Sequence, residues 1–212
     1  MKRWLFIFTG ALLPLLGGCA HDNLQTYEYY LINRGLEQKQ TAQSFQHCHG
    51  YGCKFISTVN FKPEDWRPVK AAFSPTPATP EQERQAIRNA IAVFEQKAGA
   101  LAGTQNDHWG TFRKTGSYQH DCVDESTNTT VYLLLLQQQG LLRFHKLEAP
   151  TARLPVIHAG RWPHQSALIS EIETSKFFAV DSWFHDNGAP PEIVPLKQWK
   201  EGWKPITEGE TG

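Results

Sequence analysis

The chain has 212 residues, 21 basic and 21 acidic side chains, and therefore no formal net charge. With 40% hydrophobic and 20% charged residues it is long enough for one domain with a real core, and it lacks the basic face that nucleic-acid binding requires. Its seven tryptophans suit clefts and corners better than a disordered tail.

Lys2 and Arg3 precede an apolar run from Trp4 to Leu16 that is too short to span a bilayer comfortably, and Leu16-Gly17-Gly18-Cys19 closes it. Small residues placed directly before a cysteine resemble the lipobox of bacterial lipoproteins. That resemblance implies removal of residues 1–18 and acylation of Cys19. With Ala20 rather than aspartate next, it implies anchoring to the periplasmic face of the outer membrane. Residues 19–47 read as a polar, lipid-anchored tether, with Tyr27, Tyr29, Tyr30, Leu31 and Ile32 as its anchor point on a single domain spanning 48–206; residues 207–212 read as a frayed tail.

Cys48 and Cys53 flank His49-Gly50-Tyr51-Gly52. The two glycines allow a tight turn, and an exported chain meets oxidising conditions, so a local disulfide is expected. The competing reading is a metal site made by His47, Cys48, His49 and Cys53, although this spacing matches no common zinc pattern; no metal and no cofactor is expected. If the disulfide forms and Cys19 carries lipid, Cys122 has no partner. Residues 55–61 alternate as a strand. The prolines of 63–80 suggest an extended connector. Thr79-Pro80-Glu81-Gln82 then opens a helix whose apolar stripe (Ile87, Ala90, Ile91, Phe94, Ala98, Leu101) ends at Gly103.

A polar and aromatic loop, 104–121, leads into a second helix over 122–139. Asp121 is its expected N-cap, Val131 to Leu136 its buried body and Gly140 its stop. Cys122 falls at the positive end of this helix, where a nucleophilic sulfur is favoured; the alternative is an inert, buried cysteine. Residues 141–160 are mixed, with Leu154-Pro155-Val156-Ile157 extended. A hairpin follows: His164 to Ile169, a turn over Glu173 to Lys176, and Phe177 to Asp181. Ile193-Val194 reads as a short strand, and Trp199 and Trp203 as part of a last helical turn.

Cys122 at a helix start, His164 at a strand start and Asp181 at the end of the partner strand form a candidate nucleophile, base and orienting group. His158 and His120 are rival bases. His145 is expected to be a surface or packing residue. Asn187 is a fallback orienter, and Asp181 could equally be a strand-end turn residue. Asp121-Cys122-Val123-Asp124, His164-Gln165-Ser166-Ala167-Leu168-Ile169 and Phe178-Ala179-Val180-Asp181 together resemble the transglutaminase-like and papain-like cysteine enzymes, bacterial transglutaminase-like cysteine peptidases in particular. The resemblance covers roughly residues 118–188. It implies an α+β fold with the cysteine helix packed on an antiparallel sheet, and acyl transfer through a thioester to act on an envelope peptide or protein.

The expected oxyanion donors are the Cys122 amide plus a side chain such as Gln105, Asn106 or Trp109, with Trp183 and Asn187 also counted as substrate-site candidates. A peptidase is favoured over a transglutaminase. The alternative is a non-catalytic envelope scaffold whose Trp109, Trp162 and Trp183 line a groove. A tight turn at Thr174-Ser175 would set Asp181 opposite Leu168, leaving His164 on the same face but two pleats, about 13 Å, away. A bulge, a longer loop or strand twist must close that distance.

Overall fold

A computed structural model describes residues 26–111, 116–153 and 163–205. Its elements run α1 (Tyr27–Asn33), β1 (Ser44–His49), β2 (Phe55–Asn60), α2 (Trp66–Ala71), α3 (Pro80–Ala102), α4 (Cys122–Gln138), β3 (His145–Arg153), β4 (His164–Glu171), β5 (Phe177–Asp181), β6 (Glu192–Pro195) and α5 (Leu196–Lys200). β1 and β2 form an antiparallel hairpin. β3-β4-β5-β6 form a separate antiparallel meander, so the class is α+β. Cys19, His158, Trp162 and the extended run at 154–157 lie outside the described residues. Among the described residues no helix is long and apolar enough to cross a membrane.

α3 begins and ends where its sequence signals lie. The Thr79 hydroxyl accepts the Gln82 amide at 3.2 Å, Pro80 occupies the first turn, and Gly103 closes the helix in the left-handed conformation. The Gln82 side chain accepts the Ala78 amide rather than that of Thr79, so the return bond of the cap falls one residue early. α4 lies between the meander and the β1-β2 hairpin, and it is buried on every side from Asp124 to Leu136. The aliphatic half, Val131 to Leu136, packs in one core with Phe45, Phe94, Ile169 and Val180. Tyr132 stacks on Phe94 at 4.8 Å.

Three expectations change. The residues read as a tether carry α1 and β1, and Tyr30, Leu31, Leu36 and Phe45 sit in the same core as α4. The proline-rich connector contains α2. Pro68 is tolerated there because it is the third helical residue, where no intrahelical acceptor exists for an amide anyway. Residues 145–153, which show no clean alternation, are β3. Its register against β4 slips between Glu148 and Thr151, so that Ala149 and Pro150 form a bulge.

A carboxylate ties α3 to the start of β3. Glu83 is fully buried and accepts the backbone amides of Arg143 (2.7 Å), Phe144 (3.0 Å) and His145 (2.9 Å), and His145 Nδ1 at 2.9 Å. Burial alone would raise this carboxyl. The hydrogen bonds from His145, Arg143 and Phe144 outweigh it and hold Glu83 below its ordinary value. His145 is thus a buried packing residue paired with Glu83, its other nitrogen 3.2 Å from Arg84. Because the Glu83 carboxyl is depressed, its contribution to stability is present above the unfolded-state value and is lost as pH falls through the folded one. Glu83→Ala strands three amides and an imidazole, and is expected to cost about 3–5 kcal/mol. Urea unfolding at pH 7 measures this, and a loss under about 1 kcal/mol would show that water replaces the carboxylate.

Candidate functional site

The site begins with the cap of α4. Asp121 Oδ1 accepts the amides of Val123 and Asp124, each at 2.9 Å, and Asp124 returns a bond to the Asp121 amide at 3.2 Å. This closes a capping box with carboxylates at both positions. The cap takes the amides that follow Cys122 and leaves the Cys122 amide pointing out of the first turn. Cys122 is half-buried and is the free cysteine of the described chain.

A second structure holds the same end. Cys48 and Cys53 are joined by a disulfide across the β1-β2 turn, so their sulfurs are not available as metal thiolates. His47 and His49 are also committed elsewhere: His47 to Tyr132 and Thr104, each at 3.0 Å, and His49 to the Ser117 carbonyl and Ser57. Gly50, Tyr51, Gly52 and Cys53 all take positive φ, between 59° and 83°. That run turns the loop amides inward. Tyr51 and Cys53 donate to the two oxygens of Asp124 at 2.7 and 2.6 Å. Further along α4, Asn128 accepts the Cys48 amide at 2.7 Å and donates to the Cys48 carbonyl at 2.9 Å. The disulfide loop and the cysteine helix are therefore clamped together over two turns.

β4 and β5 supply the other two residues. Ala167 pairs with Val180, Leu168 with Ala179 and Ser170 with Phe177. The connection is longer than the two-residue turn expected from Thr174-Ser175. The Glu171 amide bonds the Lys176 carbonyl at 2.8 Å, which leaves a four-residue loop with Ser175 at φ 54°. Continued by one step, this register sets Asp181 opposite Ser166 rather than Leu168. The parity is unchanged, but Asp181 is one pleat nearer His164, a diagonal neighbour on the same face. His164 Nε2 donates to Asp181 Oδ2 at 2.7 Å. Asp181 is thus an orienting partner and not a surface turn residue.

Asp181 holds three donors. Trp199 Nε1 reaches the same Oδ2 at 2.7 Å, and the Trp183 amide reaches Oδ1 at 3.3 Å. Trp199, fully buried, is a site residue that the sequence reading missed, since it lies 18 residues away in a helix recognisable only as a packing element. Arg153, the register partner of His164 on β3, holds α5 in place: its guanidinium donates to the carbonyls of Trp199 and Trp203, each at 2.9 Å, and lies over the Trp199 ring. Trp183, Phe184 and Trp199 surround the imidazole at 4.9, 5.4 and 5.6 Å.

With Nε2 committed to Asp181, Nδ1 is the nitrogen left for Cys122. Burial pulls the His164 ring down. The Asp181 charge and hydrogen bond, joined by a hydrogen bond and charge from Cys122, outweigh burial and raise it to about 9 from 6.5.

The remaining candidates are on loops near this end of the helix, the Gly110 amide donating to the Trp183 carbonyl at 3.2 Å. Gln105 and Asn106 are exposed, Asn106 offering its carbonyl to Gln119. Trp109 is 57% exposed, with its amide on Asp186. The Asn187 side chain lies against Gly99 of α3, so it is not the orienter. Trp183 is the one candidate of this group found against the imidazole. His120 is buried and turned to Glu125 and Asp107. Comparison with family models, curated proteins and solved structures returned no match.

Because the folded-state value of His164 is raised, the stability it contributes is complete below about 6.5 and is lost as pH rises through about 9. Asp181→Asn removes the charge that raises it. A nitrogen-detected NMR titration is expected to move the His164 midpoint down by at least one pH unit, and an unchanged midpoint would mean that Asp181 does not govern the ring.

Proposed function

We propose that this protein is a cysteine acyl-transfer enzyme with Cys122 as nucleophile, His164 as proton carrier and Asp181 as the group that orients it. The observation that carries this reading is the His164–Asp181 bond of 2.7 Å, with the same imidazole hydrogen-bonded to the part-buried Cys122 at a capped helix start. A cysteine helix on an antiparallel sheet, with histidine and aspartate on neighbouring strands, is the arrangement the transglutaminase-like and papain-like resemblance calls for.

In the proposed reaction the Cys122 sulfur attacks the carbonyl carbon of an amide. The carbonyl oxygen gains the negative charge and is met by the Cys122 amide, which the Asp121 cap leaves available. The proton on His164 Nδ1 passes to the departing nitrogen as the carbon–nitrogen bond breaks, leaving a thioester and a neutral ring. His164 then takes a proton from an incoming water, whose oxygen displaces the sulfur from the thioester carbon, which releases the acid and restores the thiolate and the protonated ring. Entry of an amine in place of water would give transamidation. Hydrolysis is favoured here, as in a peptidase acting on an envelope peptide or protein. Asp181 keeps the Nε2 proton in place throughout, and Trp199 keeps the carboxylate aimed.

Export as a lipid-anchored protein of the outer membrane, facing the periplasm, fits the Lys2–Cys19 segment and the Cys48–Cys53 disulfide. Cys19→Ser is expected to abolish incorporation of labelled palmitate; undiminished labelling would place any lipid elsewhere.

Iodoacetamide labelling of the folded protein at pH 7, followed by mass spectrometry, tests the site. Cys122 is expected to react readily, about tenfold or more slower in His164→Ala, and two- to tenfold slower in Trp199→Phe, which keeps the ring but removes the donor. A Cys122 that reacts only after denaturation, or at the same rate without His164, would end the enzyme reading in favour of a scaffold.

A further inference from the structure

Behind the cysteine helix lies a second set of polar side chains that the proposed chemistry does not use. His120 Nδ1 is 2.8 Å from Glu125 Oε1 and 3.3 Å from Asp107 Oδ2, and all three residues are buried. Their ligand-capable atoms all lie within 4.8 Å of one another. Glu95, buried on α3, stands outside that set, but its charge acts on both Glu125 and His120. Its Oε2 accepts the Gly188 amide at 3.0 Å, while Oε1 is buried without a partner among the described residues.

Two carboxyl groups thus face one imidazole out of water, with the Glu95 carboxyl nearby. A single positive charge does not balance two carboxylates, and buried charge without a counter-charge is costly. Such a set calls either for shared protons or for a cation. The spacing admits a cation. Around a tetrahedral ion with bonds of about 2.0–2.2 Å, neighbouring ligand atoms lie about 3.3–3.6 Å apart; the Asp107 separation of 3.3 Å already fits, and the Glu125 oxygen, now hydrogen-bonded at 2.8 Å, would move outward by about half an ångström to join the shell. One imidazole nitrogen with carboxylate oxygens suits zinc or a similar divalent transition metal, and is too nitrogen-rich for magnesium or calcium.

We propose that Asp107, His120 and Glu125 bind one divalent cation of the zinc class. Binding replaces the proton on His120 Nδ1, which is released to solvent. The ion joins the 104–121 loop to the first turn of α4, two residues before and three after Cys122, as a structural tie rather than a reactant.

Since the set is enclosed, the protein is unfolded with its disulfide intact, stripped with chelator and refolded with or without zinc chloride. Metal content, thermal midpoint and X-ray absorption are then measured. The expected result is one zinc per chain surviving dialysis, a higher midpoint than the metal-free protein, and a nitrogen and oxygen shell without sulfur. Asp107→Asn and Glu125→Gln are expected to retain less than a tenth of the metal. Glu95→Gln, which keeps an acceptor for Gly188 and leaves the three ligands in place, serves as the control and is expected to retain the metal. No retained zinc, a sulfur ligand, or full retention in both Asp107→Asn and Glu125→Gln would each overturn the proposal.

Discussion

α4 carries a polar half into the interior, and the whole arrangement depends on giving every one of those groups a partner. Asp124 is met by the amides of the disulfide loop, Asn128 by the Cys48 backbone, Thr127 by the Tyr30 hydroxyl at 2.8 Å and Thr129 by Ser182 at 3.0 Å. Each unpaired group would cost on the order of 1–3 kcal/mol, so the partners are strongly selected by position. The consequence is that α1, the β1-β2 hairpin and the strand end at Ser182 cannot shift relative to Cys122 without breaking several bonds at once. The Cys122 sulfur is thereby held by the surrounding fold and not by its own helix alone.

The other side of the proposed site is set by strand register. Adjacent residues on a strand point to opposite faces, so one-residue slips would turn His164 or Asp181 away, and two-residue slips would separate them by a further pleat. The four-residue loop between β4 and β5 selects the pairing in which an imidazole and a carboxylate meet diagonally. Arg153 and Trp199 then fix the carboxylate from behind. A ring raised to about 9 carries its proton at neutral pH, which suits it as the acid for a departing nitrogen.

Much of this was legible in the residues. Caps and stops are local: Thr79-Pro80 and Gly103 bound α3, and Asp121 and Gly140 bound α4, because a helix end needs particular side chains within three residues. The disulfide was legible because five residues with two glycines can turn back on themselves. The hairpin was legible too, as was the parity that puts His164 and Asp181 on one face. α1 was legible only as a short helix or strand within a presumed tether, and β1 was missed, because their apolar residues are few and buried only by distant neighbours. β3 was missed because a bulge at Ala149-Pro150 breaks its alternation.

Local chemistry in the chain therefore determined the helix ends, the cysteine pairing and the choice of Cys122, His164 and Asp181, since each depends on residues close together along the backbone. Only the folded molecule decided how far apart His164 and Asp181 stand, that Trp199 shares the carboxylate, that Glu83 anchors β3 and that His120 is buried between Asp107 and Glu125. The first three of these contacts join residues 17 to 62 positions apart or depend on the length of a loop, and no periodicity or spacing encodes which of many distant polar groups will meet once the apolar core has closed.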